Sequence, residues 1–142
     1  MPVLWRNDLS VGCKDIDNDH KNWLNVVNVV SMGVDSGDVK LVKKAMDDAV
    51  EYSRQHFYRE EKLMKNISYP YYEEHFEIHS TFIEKINDFQ TDMNMNMDYH
   101  PEEAMKIGKK FATFTRNWLL SHIKNEDSKI SPFINNKCDN LD

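Results

Sequence analysis

Six histidines punctuate the chain, and five of them, His20, His56, His75, His79 and His122, fall on apolar stripes with helical spacing; His100 does not. Imidazole titrates near neutral pH and is the commonest metal ligand among side chains. Two spacings stand out: His75 and His79 are four residues apart, and so are His56 and Glu60. On a helix such residues have Cβ atoms about 5–6 Å apart and share one face. Glu60 therefore sits on a core-facing stripe, where a carboxylate is costly unless its charge is compensated. No Lys or Arg stands on the same stripes at a matching level, and a cation inside the fold would resolve the conflict. One core-facing His is ordinarily a hydrogen-bonded core residue, and one His-x-x-x-His pair is ordinarily chance or an adventitious zinc site. The set reads differently, because every helical segment sends at least one imidazole inward. Five imidazoles exceed the usual tetrahedral complement of one zinc ion, so two ions sharing bridging acids are expected. Glu60 supplies one bridge, and Asp127, five residues after His122, is the candidate for the second. Five residues turn a regular helix by about 140°, so the last helix should end or distort between His122 and Asp127.

Four segments with a 3.6-residue period must position these groups. They are expected over residues 16–32, 39–65, 70–90 and 101–124. The first carries Ile16, His20, Trp23, Leu24, Val27 and Val30, with Asp15 or Asp17 as cap and Gly33 after its end. The second carries Val42, Ala45, Met46, Ala49, Tyr52, His56, Glu60, Leu63 and Met64. The third opens at Pro70, suited to a first helical position, and carries Tyr72, His75, Phe76, His79, Phe82, Ile83, Ile86 and Phe89. The fourth opens at Pro101, with Glu102 and Glu103 favourable in the first turn, and carries Ala104, Ile107, Phe111, Phe114, Trp118, Leu119 and His122. Strand signals are absent apart from short ambiguous runs. The expected fold is all-α: an up-down-up-down antiparallel four-helix bundle spanning 1–142 as one domain. An N-terminal arm with Leu4, Trp5, Leu9 and Val11 should lie across the bundle, and a short C-terminal tail follows from Ser128. The Met/Asn stretch 92–98 reads as a mobile loop, with thioether ligation of Cu(I) as the alternative.

Composition narrows the function classes. A chain of 142 residues, 40% hydrophobic and 30% charged, suits a soluble globular domain. A net charge of −6 argues against nucleic-acid binding, whose footprint is a basic face. No stretch approaches the roughly 18 uninterrupted apolar residues of a membrane span. Cys13 and Cys138 lie near opposite ends without a CxxC partner, which excludes a zinc knuckle or thioredoxin-like motif. The N-terminus lacks a signal peptide's pattern. A cytoplasmic location is expected, and with it two free thiols.

Taken together these residues resemble the hemerythrin family in its bacterial single-domain form. The resemblance spans roughly residues 4–127. It rests on Ile16-Asp17-Asn18-Asp19-His20-Lys21, His56-Phe57-Tyr58-Arg59-Glu60-Glu61, His75 with His79, and His122 with Asp127. Asp19 departs from the Gln or Glu usual before the first His. The resemblance implies two non-haem iron ions (Fe2+/Fe3+), one held by His75, His79 and His122, the other by His20 and His56. Glu60 and Asp127 would bridge them with an oxo or hydroxo group as third bridge. One iron is then six-coordinate and the other keeps an open position, the mark of a reactive site. The implied guest is O2, in an apolar pocket lined by Trp118, Leu119 and Ile123. The implied function is reversible oxygen binding for storage, transport or delivery to an oxygen-consuming enzyme, by a monomer or small homo-oligomer. Three rivals stand beside it. A ferritin-like di-iron oxygenase would use Glu-x-x-His twice and four carboxylates; that motif is absent, as is His-Glu-x-x-His, and a di-iron enzyme with peroxidase-like or nitric-oxide-related activity stands as the alternative. An oxygen or redox sensor would need a signalling partner, for which the chain has no room. Iron storage is poorly served by two ions per chain.

Overall fold

In the computed structural model, which describes residues 4–134 and 138, the chain is built from four long helices. They are α1 (Lys14–Ser36), α2 (Val39–Asn66), α3 (Tyr72–Asn96) and α4 (Pro101–Asn125). Single 3-10 turns at Asn7–Leu9, Asp127–Lys129 and Ser131–Phe133 flank them, and no strand occurs among the described residues. Each helix packs against its neighbour in sequence, and α1 packs against α4, which closes the ring. The short connections force successive helices to run antiparallel, as expected.

Helix ends follow local chemistry. Gly37 stops α1 in the left-handed conformation at φ 71°, its N–H bonding to Gly33 and Val34 carbonyls. Gly33, expected beyond the helix, lies inside it. A Cβ there would meet Val42 Cγ2 at 2.9 Å, so its smallness lets α1 and α2 approach. Asp38 caps α2 by accepting from the Leu41 N–H at 3.0 Å. Neither Asp15 nor Asp17 caps α1: the N-cap residue is Cys13, with no side-chain cap. Asp17 instead accepts from the Val11 N–H at 2.9 Å and the Ser10 hydroxyl at 2.5 Å, fastening the arm to the first turn. Leu9 and Val11 are buried, Trp5 is half-buried, and Leu4 is 78% exposed.

Most residues on the expected stripes are buried or half-buried, with Trp23, Phe82, Phe111, Met46 and Ile86 among the largest fully enclosed. Phe76 is the exception and is exposed. Two further expectations need correction. Stretch 92–98 is not a loop at its start, because α3 continues to Asn96. Met93 falls seven residues after Ile86, two turns along the buried face, and is fully enclosed; Met95 points outward at 70% exposure. Alternate residues on a helix diverge by about 200°, so these thioethers do not converge on one ion. Cys13 and Cys138 are not free thiols either: they form a disulfide, with Cα atoms 5.6 Å apart. The arm and the tail return to the same end of the bundle, a proximity that their separation of 125 residues does not announce.

Met93→Ala should lower the unfolding free energy by about 2–5 kcal/mol, the range for truncating a buried aliphatic side chain. Met95→Ala should change it by under about 0.5 kcal/mol. Denaturant titration of both variants checks this; equal, negligible effects would return the stretch to a loop.

Candidate metal centre

The seven polar groups singled out above meet at one level of the bundle. His20 comes from α1, His56 and Glu60 from α2, His75 and His79 from α3, and His122 from α4. Asp127 comes from the 3-10 turn after α4, which ends at Asn125. That break releases Asp127 from the helical phase that would have turned it away from His122. Glu60 and Asp127 have no exposed surface at all, and the five imidazoles are buried beside them.

The carboxylates divide their oxygens between two groups of nitrogens. Glu60 Oε1 lies 2.7 Å from His75 Nε2 and 3.1 Å from His79 Nε2. Glu60 Oε2 lies 3.1 Å from His56 Nε2 and 3.8 Å from His20 Nε2. Asp127 Oδ1 lies 3.0 Å from His122 Nε2 and 3.1 Å from His75 Nε2, while Oδ2 lies 3.0 Å from His20 Nε2. The donors accordingly form two overlapping sets: Glu60, His75, His79, His122 and Asp127 in one, His20, His56, Glu60 and Asp127 in the other. Both carboxylates belong to both sets.

Several of these atoms are buried without hydrogen-bond partners: His20 Nε2, His56 Nε2, Glu60 Oε2 and both Asp127 oxygens. Orphaned buried polar atoms are rare and call for a missing partner. The Nε2 atoms of His75, His79 and His122 also crowd together, with His122 Nε2 3.1 Å from each of the other two. Nitrogens held about 3 Å apart are spaced as neighbouring ligands of one ion with bonds of about 2.1 Å. The donor set therefore fits two metal ions sharing two carboxylates. Neutral imidazoles outnumber acids, a composition suited to iron, zinc or copper rather than to calcium or magnesium.

Two of the outward ring nitrogens, on His56 and His79, are also held. Asp19 Oδ2 faces His56 Nδ1 at 3.0 Å. Arg59 clamps Asp19 through two bonds of 2.7 Å, and the Tyr52 hydroxyl donates to it at 3.3 Å. Burial pushes the Asp19 carboxyl up, but hydrogen bonds from His56 and Arg59 outweigh it and hold it at about 2. Glu61 Oε2 faces His79 Nδ1 at 2.9 Å. An acceptor on Nδ1 fixes the tautomer that leaves Nε2 free to face inward. Arg59 and Glu61 were not singled out from sequence. Their signal is weak: they flank Glu60 on either side, where a solvated charge is the ordinary reading. Phe57 stacks on His79 at 3.9 Å between ring centroids and Trp118 on His122 at 4.3 Å, fixing both imidazole planes. Trp118 thus lies against the three-imidazole set, half-buried, whereas Leu119 and Ile123 are fully buried.

With these side chains facing one another, burial pushes His20, His75 and His122 down, yet Asp127 and Glu60 overcome it. The imidazoles rise to about 9, 9 and 10 respectively. Burial pushes Glu60 and Asp127 up, but the facing imidazoles hold both below the usual carboxylate range. The raised imidazoles contribute stability that is complete below about pH 6.5 and is lost as pH climbs through 9–10. The lowered acids contribute stability that is present above about pH 4 and is lost in acid. Metal-free protein should therefore melt at progressively lower temperature between about pH 6.5 and pH 10. Bound metal replaces those protons, so the extra stability it confers should grow over the same interval. Calorimetry with and without chelator measures both trends; a flat metal-free profile contradicts the proton assignment. Asp19→Ala should weaken metal binding about 10–100-fold, the usual cost of removing a carboxylate that orients a ligating imidazole.

The fold and the sequence have counterparts. Residues 11–134 match the family model described as the hemerythrin HHE cation binding domain. The bacteriohemerythrin of Pseudomonas paraeruginosa is 25% identical over 126 residues, covering 89% of this chain and 77% of that protein. The myohemerythrin of Theromyzon tessulatum is 27% identical over 128 residues, covering 90% of each. A solved wild-type hemerythrin superposes with a TM-score of 0.79 at 21% identity, covering 94% of this chain and 98% of that one. On the extent of the family match, the chain belongs to the hemerythrin family.

Proposed function

We propose that this protein binds O2 reversibly at a pair of non-haem iron ions, for oxygen storage, transport or delivery. The observation that carries the reading is the unequal division of the donors. Glu60 and Asp127 serve both sets, and three imidazoles join one set while only two join the other. In this reading His75, His79 and His122 would hold one ion and His20 and His56 the other, with Glu60 and Asp127 shared. The two-imidazole set supplies one donor fewer, which would leave room for O2 there. When bound, the iron pair would supply the two electrons that reversible O2 binding exchanges.

The chain's own groups make that exchange reversible. Leu119 and Ile123, both buried on α4, line the pocket in this reading, keep water from the bound gas and offer no proton. Trp118 braces His122 from the outer side. Glu60 and Asp127 keep their charges in both directions, because the facing imidazoles hold them below the usual carboxylate range. Only two carboxylates enter the metal-ligating clusters found among the described residues. A bundle oxidase of the ferritin type uses four, and fewer anionic ligands favour ferrous iron over higher oxidation states. This favours a carrier over an enzyme. No helix among the described residues is long and apolar enough to cross a membrane. We place the carrier in the cytoplasm, where the Cys13–Cys138 bond would meet a reducing thiol pool, with an oxygen-consuming enzyme as its client.

Anaerobic loading with ferrous iron should give two ions per chain. Admitting air should raise visible charge-transfer absorption, and purging with argon should remove it over repeated cycles. A colourless protein, or a colour that never reverses, would sink the proposal. Ile123→Glu should retain both ions yet lose oxygen uptake; parental uptake in that variant removes Ile123 from the pocket.

A further inference from the structure

The covalent link between the chain ends is close in sequence to two of the site residues. Cys13 precedes His20 by seven residues and Cys138 follows Asp127 by eleven. The arm and the tail also meet at Gly12, where a Cβ would lie 3.5 Å from Ser131 Oγ, and Leu9, Val11, Ile130 and Ile134 are all buried in the core. The backbone that carries Asp127 has little regular structure to hold it. It consists of two single 3-10 turns, neither with a side-chain cap, and such turns have poor hydrogen-bond geometry. Beyond the Ile130 N–H to Asp127 carbonyl bond at 3.0 Å and the Ser128 hydroxyl bond to the Lys124 carbonyl, the position of Asp127 depends on apolar burial behind it and on the cross-link. That position matters to both donor sets, because the two Asp127 oxygens face His20 on one side and His75 and His122 on the other.

We propose that the Cys13–Cys138 bond is a second, reducible site coupled to the metal centre, and that its opening by a dithiol reductant loosens the Asp127 segment and speeds metal loss. The proposal rests on the reading of the seven residues as a metal centre. In the reaction a thiolate of the reductant attacks one cysteine sulfur and the Cys13–Cys138 bond breaks. The reductant's second thiolate then displaces that sulfur from the mixed disulfide. The chain gains two electrons and two protons as two thiols, and the dithiol departs as a cyclic disulfide. Both sulfurs belong to buried residues, so the attack follows a local opening of the tail. The segment whose release is proposed is thus also the gate to its own reduction.

The test uses zinc(II), which has no redox chemistry of its own. Metal-free full-length protein is reduced with dithiothreitol, freed of reductant by gel filtration under nitrogen, loaded with zinc, and chased with a chromogenic chelator. Untreated protein and the Cys13→Ser/Cys138→Ser double variant are handled in parallel. Thiol titration should find no free thiols before reduction and two after. Reduced protein and the double variant should release zinc about tenfold or more faster than the oxidised protein. Amide hydrogen exchange should rise across residues 126–134 but not in α2. Because reduction needs no substitution, a double variant that fails to fold leaves the comparison intact. Equal release from oxidised and reduced protein overturns the coupling alone, and two free thiols before reduction overturn the bond. Failure of the oxidised form to hold two zinc ions overturns the metal-centre reading together with this proposal.

Discussion

Two carboxylates with no exposed surface, Glu60 and Asp127, set the terms for everything around them. Their charges cannot be left bare in a medium of low dielectric, and no guanidinium or ammonium group is within ion-pair distance of either among the described residues. Five imidazoles are what the fold supplies instead. An imidazole can meet a buried acid in two ways, as a protonated counter-ion or as a neutral ligand of a shared cation. The same seven side chains thus serve a metal-free and a metal-loaded interior. The apolar layer that includes Trp23, Phe82, Phe111 and Met46 surrounds a polar interior that it does not neutralise.

Precision in the centre comes from groups outside it. Asp19, gripped by Arg59 and Tyr52, holds His56 by its outward nitrogen, and Glu61 holds His79 in the same way. Phe57 and Trp118 lie face-on against His79 and His122, so both rings are restrained in plane, and His79 in tautomer as well. A polar second layer and a stacked aromatic layer thus divide the work of aiming nitrogens. His56, His79 and His122 each have an identifiable brace.

The chain ends belong to the same design. An arm that would otherwise fray is tied down at Asp17 and buried through Leu9 and Val11. A tail with little regular structure is anchored by Ile130, Ile134 and the disulfide to Cys13. Since Asp127 stands at the start of that tail, anchoring the terminus and completing the centre are one structural task.

Much of this was legible before any coordinates. Spacings of four put His56 with Glu60 and His75 with His79 on shared faces, because helical geometry is local and periodic. The cost of a carboxylate on an apolar stripe pointed to a cation, and the phase mismatch between His122 and Asp127 required the helix to end where it does. Periodicity also marked most of the helical core, missing Val50, Phe57 and Ala112 and failing at Phe76, which faces solvent. Asn and Asp composition suggested a loop at 92–98, but a buried position for Met93 extends α3 through that stretch: tertiary burial outweighs weak local propensity. Gly33 likewise looked like a stop and is instead a contact point, since its role depends on Val42 of another helix. The partners of the outward imidazole nitrogens and the meeting of Cys13 with Cys138 depend on elements distant in sequence. Local patterning determined which side chains face inward; only the closure of the bundle, bringing residues more than a hundred positions apart into contact, decided which of them touch.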